Sequence, residues 1–246
     1  MDIHLLGTGN AFADGGRHPM AILLESSTGG LLLDAGPSTL ALLKQHDRGS
    51  DAIDAIVLSH HHGDHFAGVP FLILDAFSSG RTKALAIVGP PKTERVVRSA
   101  LALFYPSLGE PEFALEFSEL APGEVWVSDT ASRLGCRVDS IEAQHFSGGI
   151  ALSPIVEWEG KRIIYSGDTR LSDALIETTR DADLLICECS SYEQTPHQHV
   201  SHRELAGASR RILAKRTVLV HPDLSVIEAR DPLRYELAVD GQRLTL

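Results

Sequence analysis

Leu58-Ser59-His60-His61-His62-Gly63-Asp64-His65-Phe66-Ala67-Gly68 is the stretch from which the rest of the chain is read. The residues just before it, Ile53-Asp54-Ala55-Ile56-Val57, are apolar and β-branched, and they predict the end of a buried strand. After it, Gly68-Val69-Pro70 and the apolar run Phe71-Leu72-Ile73-Leu74 predict a helix. The His-rich segment is therefore a strand-to-helix loop. His60, His62, Asp64 and His65 offer imidazole and carboxylate, the ligands that a borderline ion such as zinc takes. Gly63 lets the backbone bend among them. An isolated histidine is usually an ordinary polar residue, and His61 is read that way. A cluster of this density is different, because each buried polar group left unsatisfied costs about 1–3 kcal/mol.

The order His-x-His-x-Asp-His resembles the metallo-β-lactamase superfamily. Further residues carry the same resemblance: Asp168 in Tyr165-Ser166-Gly167-Asp168-Thr169-Arg170, His145 in Ala143-Gln144-His145-Phe146, and His221 in Val218-Leu219-Val220-His221-Pro222. Leu6-Gly7-Thr8-Gly9 followed by Leu32-Leu33-Asp34-Ala35-Gly36 is similar to the tRNase Z-like branch. The resemblance implies an α/β fold, a four-layer αββα sandwich. It also implies a dinuclear centre, with His60, His62 and His145 at one ion, Asp64, His65 and His221 at the other, and Asp168 between them. Asp34 is expected beside the metal loop, orienting it.

Such a centre would be a hydrolase site. Zinc is the expected ion, with manganese, iron or nickel accepted by the same ligands. Paired ions lie roughly 3.5–4 Å apart and activate a bridging hydroxide. Two divalent ions bring four positive charges; Asp64, Asp168 and the hydroxide remove three. The surplus of about one suits a small anionic or phosphodiester substrate. Asp64 is thus read as catalytic as well as a ligand. His199-Val200-Ser201 resembles the His-x-Ser/Thr motif of tRNase Z-like phosphodiesterases, and assigns His199 to stabilising charge or protonating the leaving oxygen. His197 and His202 are read as exposed polar residues, and Ser201 with Glu204 as a capping box. Glu188 is left equally open to a site role and a structural one.

The favoured reading is a dinuclear metal phosphodiesterase. A hydrolase of carboxylic esters, lactones or thioesters would share every ligand. A non-catalytic metal-binding scaffold is the reading from a different class. Two features depart from tRNase Z: Pro222-Asp223-Leu224-Ser225 follows His221, and no long basic arm is present. Residues 105–123 carry Glu110, Glu112, Glu116 and Glu119 instead.

Length and composition agree with one domain spanning 1–246. The chain has 246 residues, 43% hydrophobic and 22% charged, as in globular proteins. The net charge of −11 disfavours non-specific nucleic-acid binding. No apolar run suits a membrane span, and the N-terminus lacks a secretory pattern. Three cysteines make no disulfide framework, so Cys136, Cys187 and Cys189 are expected as buried thiols in a cytoplasmic protein. A homodimer is compatible with this reading. Strands are expected near 21–25, 30–34, 84–88, 113–117, 124–127, 133–138, 150–157, 162–165, 183–187 and 217–220. Helices are expected to about Gln45, over 92–104, near 173–179 and over 201–214. Gly7-Thr8-Gly9 is read as a plain strand-end turn.

Overall fold

The computed structural model describes residues 1–109, 111–193 and 198–246. Its first half runs β1 (Asp2–Gly7), β2 (Ala21–Ser26), β3 (Gly29–Ala35), α1 (Thr39–Gln45), β4 (Ala55–Val57), α2 (Gly63–Phe66), α3 (Val69–Ser78), β5 (Leu85–Gly89), α4 (Thr93–Phe104) and β6 (Leu115–Glu119). The second half runs α5 (Asp129–Leu134), β7 (Arg137–Ala143), β8 (Ala151–Trp158), β9 (Lys161–Tyr165), α6 (Asp173–Thr178), β10 (Leu184–Glu188), α7 (His202–Ala208), β11 (Arg216–Val220), α8 (Leu224–Ile227), β12 (Glu236–Leu237) and β13 (Gln242–Thr245). Two sheets result, ordered β13-β1-β2-β3-β4-β5-β6 and β12-β11-β10-β9-β8-β7.

Alternation along each strand sends one face inward and the other outward. Ile22, Leu24, Leu31, Leu33 and Val57 meet Leu152, Val156, Ile163, Tyr165 and Val220 between the sheets. The opposite face of the first sheet, including Leu23, Leu32, Ile56 and Ile87, is covered by Leu42, Leu43, Leu72, Ile73 and Val97 from α1, α3 and α4. The outer face of the second, including Ile164, Leu185 and Leu219, is covered by Leu175, Ile176, Leu205 and Val226 from α6, α7 and α8. These are the four layers of an αββα sandwich. Strands buried on both faces read as continuous apolar runs, which is why they were visible in the sequence.

The second sheet begins differently from expectation. Residues 124–127 form no strand, and 133–138 is not one continuous strand. Instead Ser128 Oγ accepts from Ala131 N–H and starts α5, which Gly135 ends at φ 66°. Trp126 still donates its backbone N–H to Val138 O, so the segment lies beside β7 without a ladder. The helix expected over 201–214 stops at Ala208, and the strand expected at 113–117 lies two residues later. The Ser201–Glu204 capping box is formed. Cys136, Cys187 and Cys189 are free and buried. Of the remaining sequence expectations, Glu110 and His197 lie outside the described residues.

Parallel pairing of β3, β4 and β5, and of β9, β10 and β11, brings the ends of several strands to one edge of the sandwich. Loops leaving the carboxyl ends of such strands form a crevice in open α/β sheets.

Candidate metal centre

Five of the seven candidate ligands leave the carboxyl end of a strand. His60 and His62 follow β4, His145 follows β7, Asp168 follows β9 and His221 follows β11. Asp64 and His65 sit on the single turn of α2. That turn is pressed against the end of β3, where Gly68 N–H donates to Ala35 O at 2.8 Å. A Cβ on Gly68 would lie 2.2 Å from Gly36 O, so no side chain fits there.

All seven side chains converge in two groups that share one carboxylate. His60, His62, His145 and Asp168 form one; Asp64, His65, Asp168 and His221 form the other. Within each group the candidate ligand atoms lie within 4.8 Å of one another. His62 Nδ1 faces His145 Nε2 at 3.2 Å. His65 Nε2 lies 3.2 Å from Asp64 Oδ2 and 3.3 Å from Asp168 Oδ1. His221 Nε2 lies 3.4 Å from Asp64 Oδ2 and 3.5 Å from Asp168 Oδ2.

The second ring nitrogens of His60, His65 and His221 are occupied, which sets the orientation of these rings. His60 Nδ1 meets Ser59 Oγ at 3.0 Å, His65 Nδ1 meets Asp34 Oδ2 at 2.7 Å, and His221 Nδ1 meets Ser190 Oγ at 3.1 Å. Asp34 also accepts from Ser59 Oγ at 2.7 Å and from Tyr165 OH at 2.8 Å. Asp34 therefore holds the metal loop, as expected, but with more partners than sequence shows. His221 itself sits at φ 60°, an uncommon backbone state for a residue with a Cβ. Its N–H donates to Thr8 O at 2.7 Å, and Thr8 is pinned in turn by Asp240. The Gly7-Thr8-Gly9 turn thus positions a candidate ligand.

Three atoms aimed into the cluster, His60 Nε2, His65 Nε2 and Asp168 Oδ1, are buried without a hydrogen-bond partner among the described residues. Orphaned buried groups are costly, and a cation shared by these donors removes the deficit. The charges agree. Burial disfavours ionised Asp168, yet His221 and His65 hold it well below the usual carboxylate range. Burial likewise opposes ionised Asp64, and His221 and His65 outweigh it to give the same direction. Burial disfavours charged His65, but Asp168 and Asp34 raise it well above the ordinary imidazole value. The carboxylates thus draw positive charge into the centre, which is where divalent ions would supply it. The residues fit a divalent metal.

His199 stands over the cluster. Its ring centroid lies 5.0 Å from that of His145 and 5.6 Å from that of His221, nearly parallel to the latter at 18°. Its Nδ1 meets Glu188 Oε1 at 3.0 Å. Burial lowers the His199 pKa, but the hydrogen bond and charge of Glu188 reverse this and push it up to about 9. Glu188 is buried and also accepts from Thr169 N–H, Val200 N–H and Ser190 Oγ. With all these donors on its two oxygens it braces the site. His61 bonds Thr93 Oγ1 at 2.8 Å, away from both groups. His202 corrects the sequence expectation: it is buried, stacks on Tyr192, and accepts from Arg234 N–H at 2.8 Å.

Residues 30–222 match the sequence model of the Beta-lactamase superfamily domain. The chain belongs to that family. Within the superfamily, it is 27% identical to ribonuclease Z of Methanosarcina acetivorans, with 89% of this chain and 86% of the relative covered. It superposes on the human short-form tRNase Z with a TM-score of 0.79 at 23% identity, covering 100% and 99% of the two chains. A metallo-β-lactamase fold protein, YhfI of Bacillus subtilis, superposes with a TM-score of 0.78 at 20% identity, covering 99% and 98%. Superfamily membership, these relatives and the His/Asp clusters together support a metal-dependent hydrolase of the phosphodiesterase type that uses divalent metal.

Sequence reading missed Ser59, Ser190 and Tyr165 as braces. Ser59 and Tyr165 stood inside the quoted motifs, but nothing in their spacing says what they touch.

Proposed function

We propose that this chain, as one domain, hydrolyses phosphodiesters at two divalent ions, zinc being the best match to the donors. His60, His62, His145 and Asp168 would hold one ion, and Asp64, His65, Asp168 and His221 the other. When bound, such ions supply Lewis acidity toward a phosphoryl oxygen and lower the pKa of water. The observation that carries the reading is Asp168, which belongs to both groups: its Oδ1 lies 3.3 Å from His65 Nε2 in one, and its Oδ2 lies 3.9 Å from His60 Nε2 and from His145 Nε2 in the other.

The protein's own groups do the rest. Asp64 Oδ2 lies 3.2 Å from His65 Nε2 and 3.4 Å from His221 Nε2, so its carboxylate would share an ion with them and orient the attacking water. His199 Nδ1 lies 3.0 Å from Glu188 Oε1, which holds the imidazole over the cluster to stabilise charge on the phosphoryl group or protonate the leaving oxygen. That proton donor favours phosphodiesters over carboxylic esters, lactones and thioesters. The ribonuclease Z relatives make RNA ends and nucleotide esters the substrates to try first. Three buried free thiols suit a reducing cytoplasm. Among the described residues no helix is long and apolar enough to cross a membrane.

Metal analysis of the purified protein, with turnover of bis-nitrophenyl phosphate, a lactone and a thioester, tests this. Two equivalents of divalent metal and preferential phosphodiester cleavage are expected. Preferential lactone or thioester cleavage would overturn the substrate class.

A further inference from the structure

Phe12 and Phe146 are the two most exposed aromatic side chains among the described residues, 84% and 76% accessible. Scattered exposed apolar residues need no explanation. These two differ in where they stand. Phe146 directly follows His145 in sequence, and its N–H donates to the side chain of Gln198, the neighbour of His199. Phe12 belongs to the loop after β1, which is tied to the backbone that follows His221. Asn10 donates to Pro222 O at 3.1 Å, immediately after His221, and accepts from Phe12 N–H at 3.0 Å. His145 and His221 both lie beside His199 and belong to different ligand groups, so the two phenylalanines stand on backbone attached to the two different halves of the centre.

Both loops are held rather than loose. Asn10 also bonds Asp14 through its side chain at 2.9 Å. Neither phenylalanine pairs with another ring among the described residues, whereas exposed Phe71 and Phe104 lie 5.9 Å apart. An aromatic face kept in water at the edge of an anion-directed site has an obvious use. Every nucleobase has a π-face, and stacking on a protein ring tolerates any base.

We propose that Phe12 and Phe146 are substrate-binding residues that stack the bases on the two sides of the scissile phosphodiester. The preferred substrate is then a nucleotide chain or end, with a base on each flank. This rests on the phosphodiester reading above. It also reconciles nucleotide binding with a net charge of −11: grip comes from rings close to the centre, not from a basic surface.

The test is binding of a phosphorothioate d(ApA) dinucleotide and of dimethyl phosphorothioate, which has the same charged group and no base, to the full-length metal-loaded protein. Wild type is expected to bind the dinucleotide at least about tenfold more tightly. Phe12→Ala and Phe146→Ala should each weaken dinucleotide binding about tenfold, the usual worth of one stacked base. Binding of the dimethyl compound should be unchanged, and Phe146→Trp should keep wild-type affinity. Equal affinity for the two compounds in wild type, or unaltered dinucleotide binding in both alanine variants, overturns the proposal. Turnover of unmodified diesters is scored separately. Base-dependent binding without cleavage supports stacking while sinking the hydrolase reading; cleavage without base dependence does the reverse.

Discussion

Asp34 Oδ2 lies 2.7 Å from Nδ1 of His65, and both side chains are fully buried. The same oxygen accepts from Ser59 Oγ, and Ser59 Oγ meets Nδ1 of His60. One carboxylate from β3 thereby orients an imidazole in each of the two groups. Tyr165 OH reaches it from the facing sheet, so packing between the sheets also sets the register of the centre.

Asp34→Asn should therefore weaken both sites together. An amide oxygen and NH2 cannot accept from every donor now gathered there. Loss of such a supporting partner typically lowers metal affinity about 10–100-fold. Metal content after dialysis should fall at both sites in parallel, while loss confined to one would contradict the shared brace. Tyr165→Phe removes one donor and should have a smaller effect in the same direction.

Asp168→Ala removes the carboxylate common to both groups. At least one ion should be lost, and turnover should drop to near background. Retention of both ions with normal turnover would show that Asp168 does not bridge.

His199→Ala should leave metal content unchanged, because His199 is braced by Glu188 outside the two groups. Phosphodiester turnover should fall by about 10²–10⁴, the usual contribution of general acid–base catalysis. Steady-state kinetics alongside metal analysis separates this from a loss of ligands. An unaltered rate would exclude a proton-transfer role.

Chelation should lower thermal stability as well as abolish activity. A ligand bound only by the folded state stabilises it by about 2.7 kcal/mol at a hundredfold excess over its Kd. Calorimetry with and without chelator should show a clear drop in Tm, reversed by adding zinc. An identical Tm would mean that the clusters hold no ion in the folded protein.

Asp54 gives a pH test remote from the centre. It is buried, accepts from Gly30 N–H at 3.0 Å and pairs with Lys83 at 3.0 Å and Arg133 at 2.9 Å. Burial raises its pKa, but these donors together bring it below the ordinary aspartate value. A carboxyl depressed in the folded state stabilises the fold above its unfolded pKa, and that contribution is lost as pH falls through the folded value. Asp54→Asn should cost about 1–3 kcal/mol at neutral pH. The difference from wild type should shrink below about pH 4, where the unfolded aspartate takes up its proton. Urea titrations at several pH values measure this; a constant difference would show that the charge is irrelevant.

Local pattern alone told much of this protein's story. Apolar β-branched runs mark strands because their faces are buried on both sides, and the 58–68 loop stands out because so many ligand types fall within one turn. The segment 124–138 was misread because Trp126, Val127 and Arg133 to Val138 look strand-like, while Ser128 and Gly135 cap a short helix between them. Tertiary structure alone decided which polar groups meet. It buried His202, gave Glu188 four donors, tied the Phe12 loop to the backbone beside His221, and joined Asp34 to Tyr165 across 131 positions of chain. The physical reason is range. Backbone conformation answers to neighbours a few residues away, whereas a buried carboxylate finds its donors only after distant strands have packed.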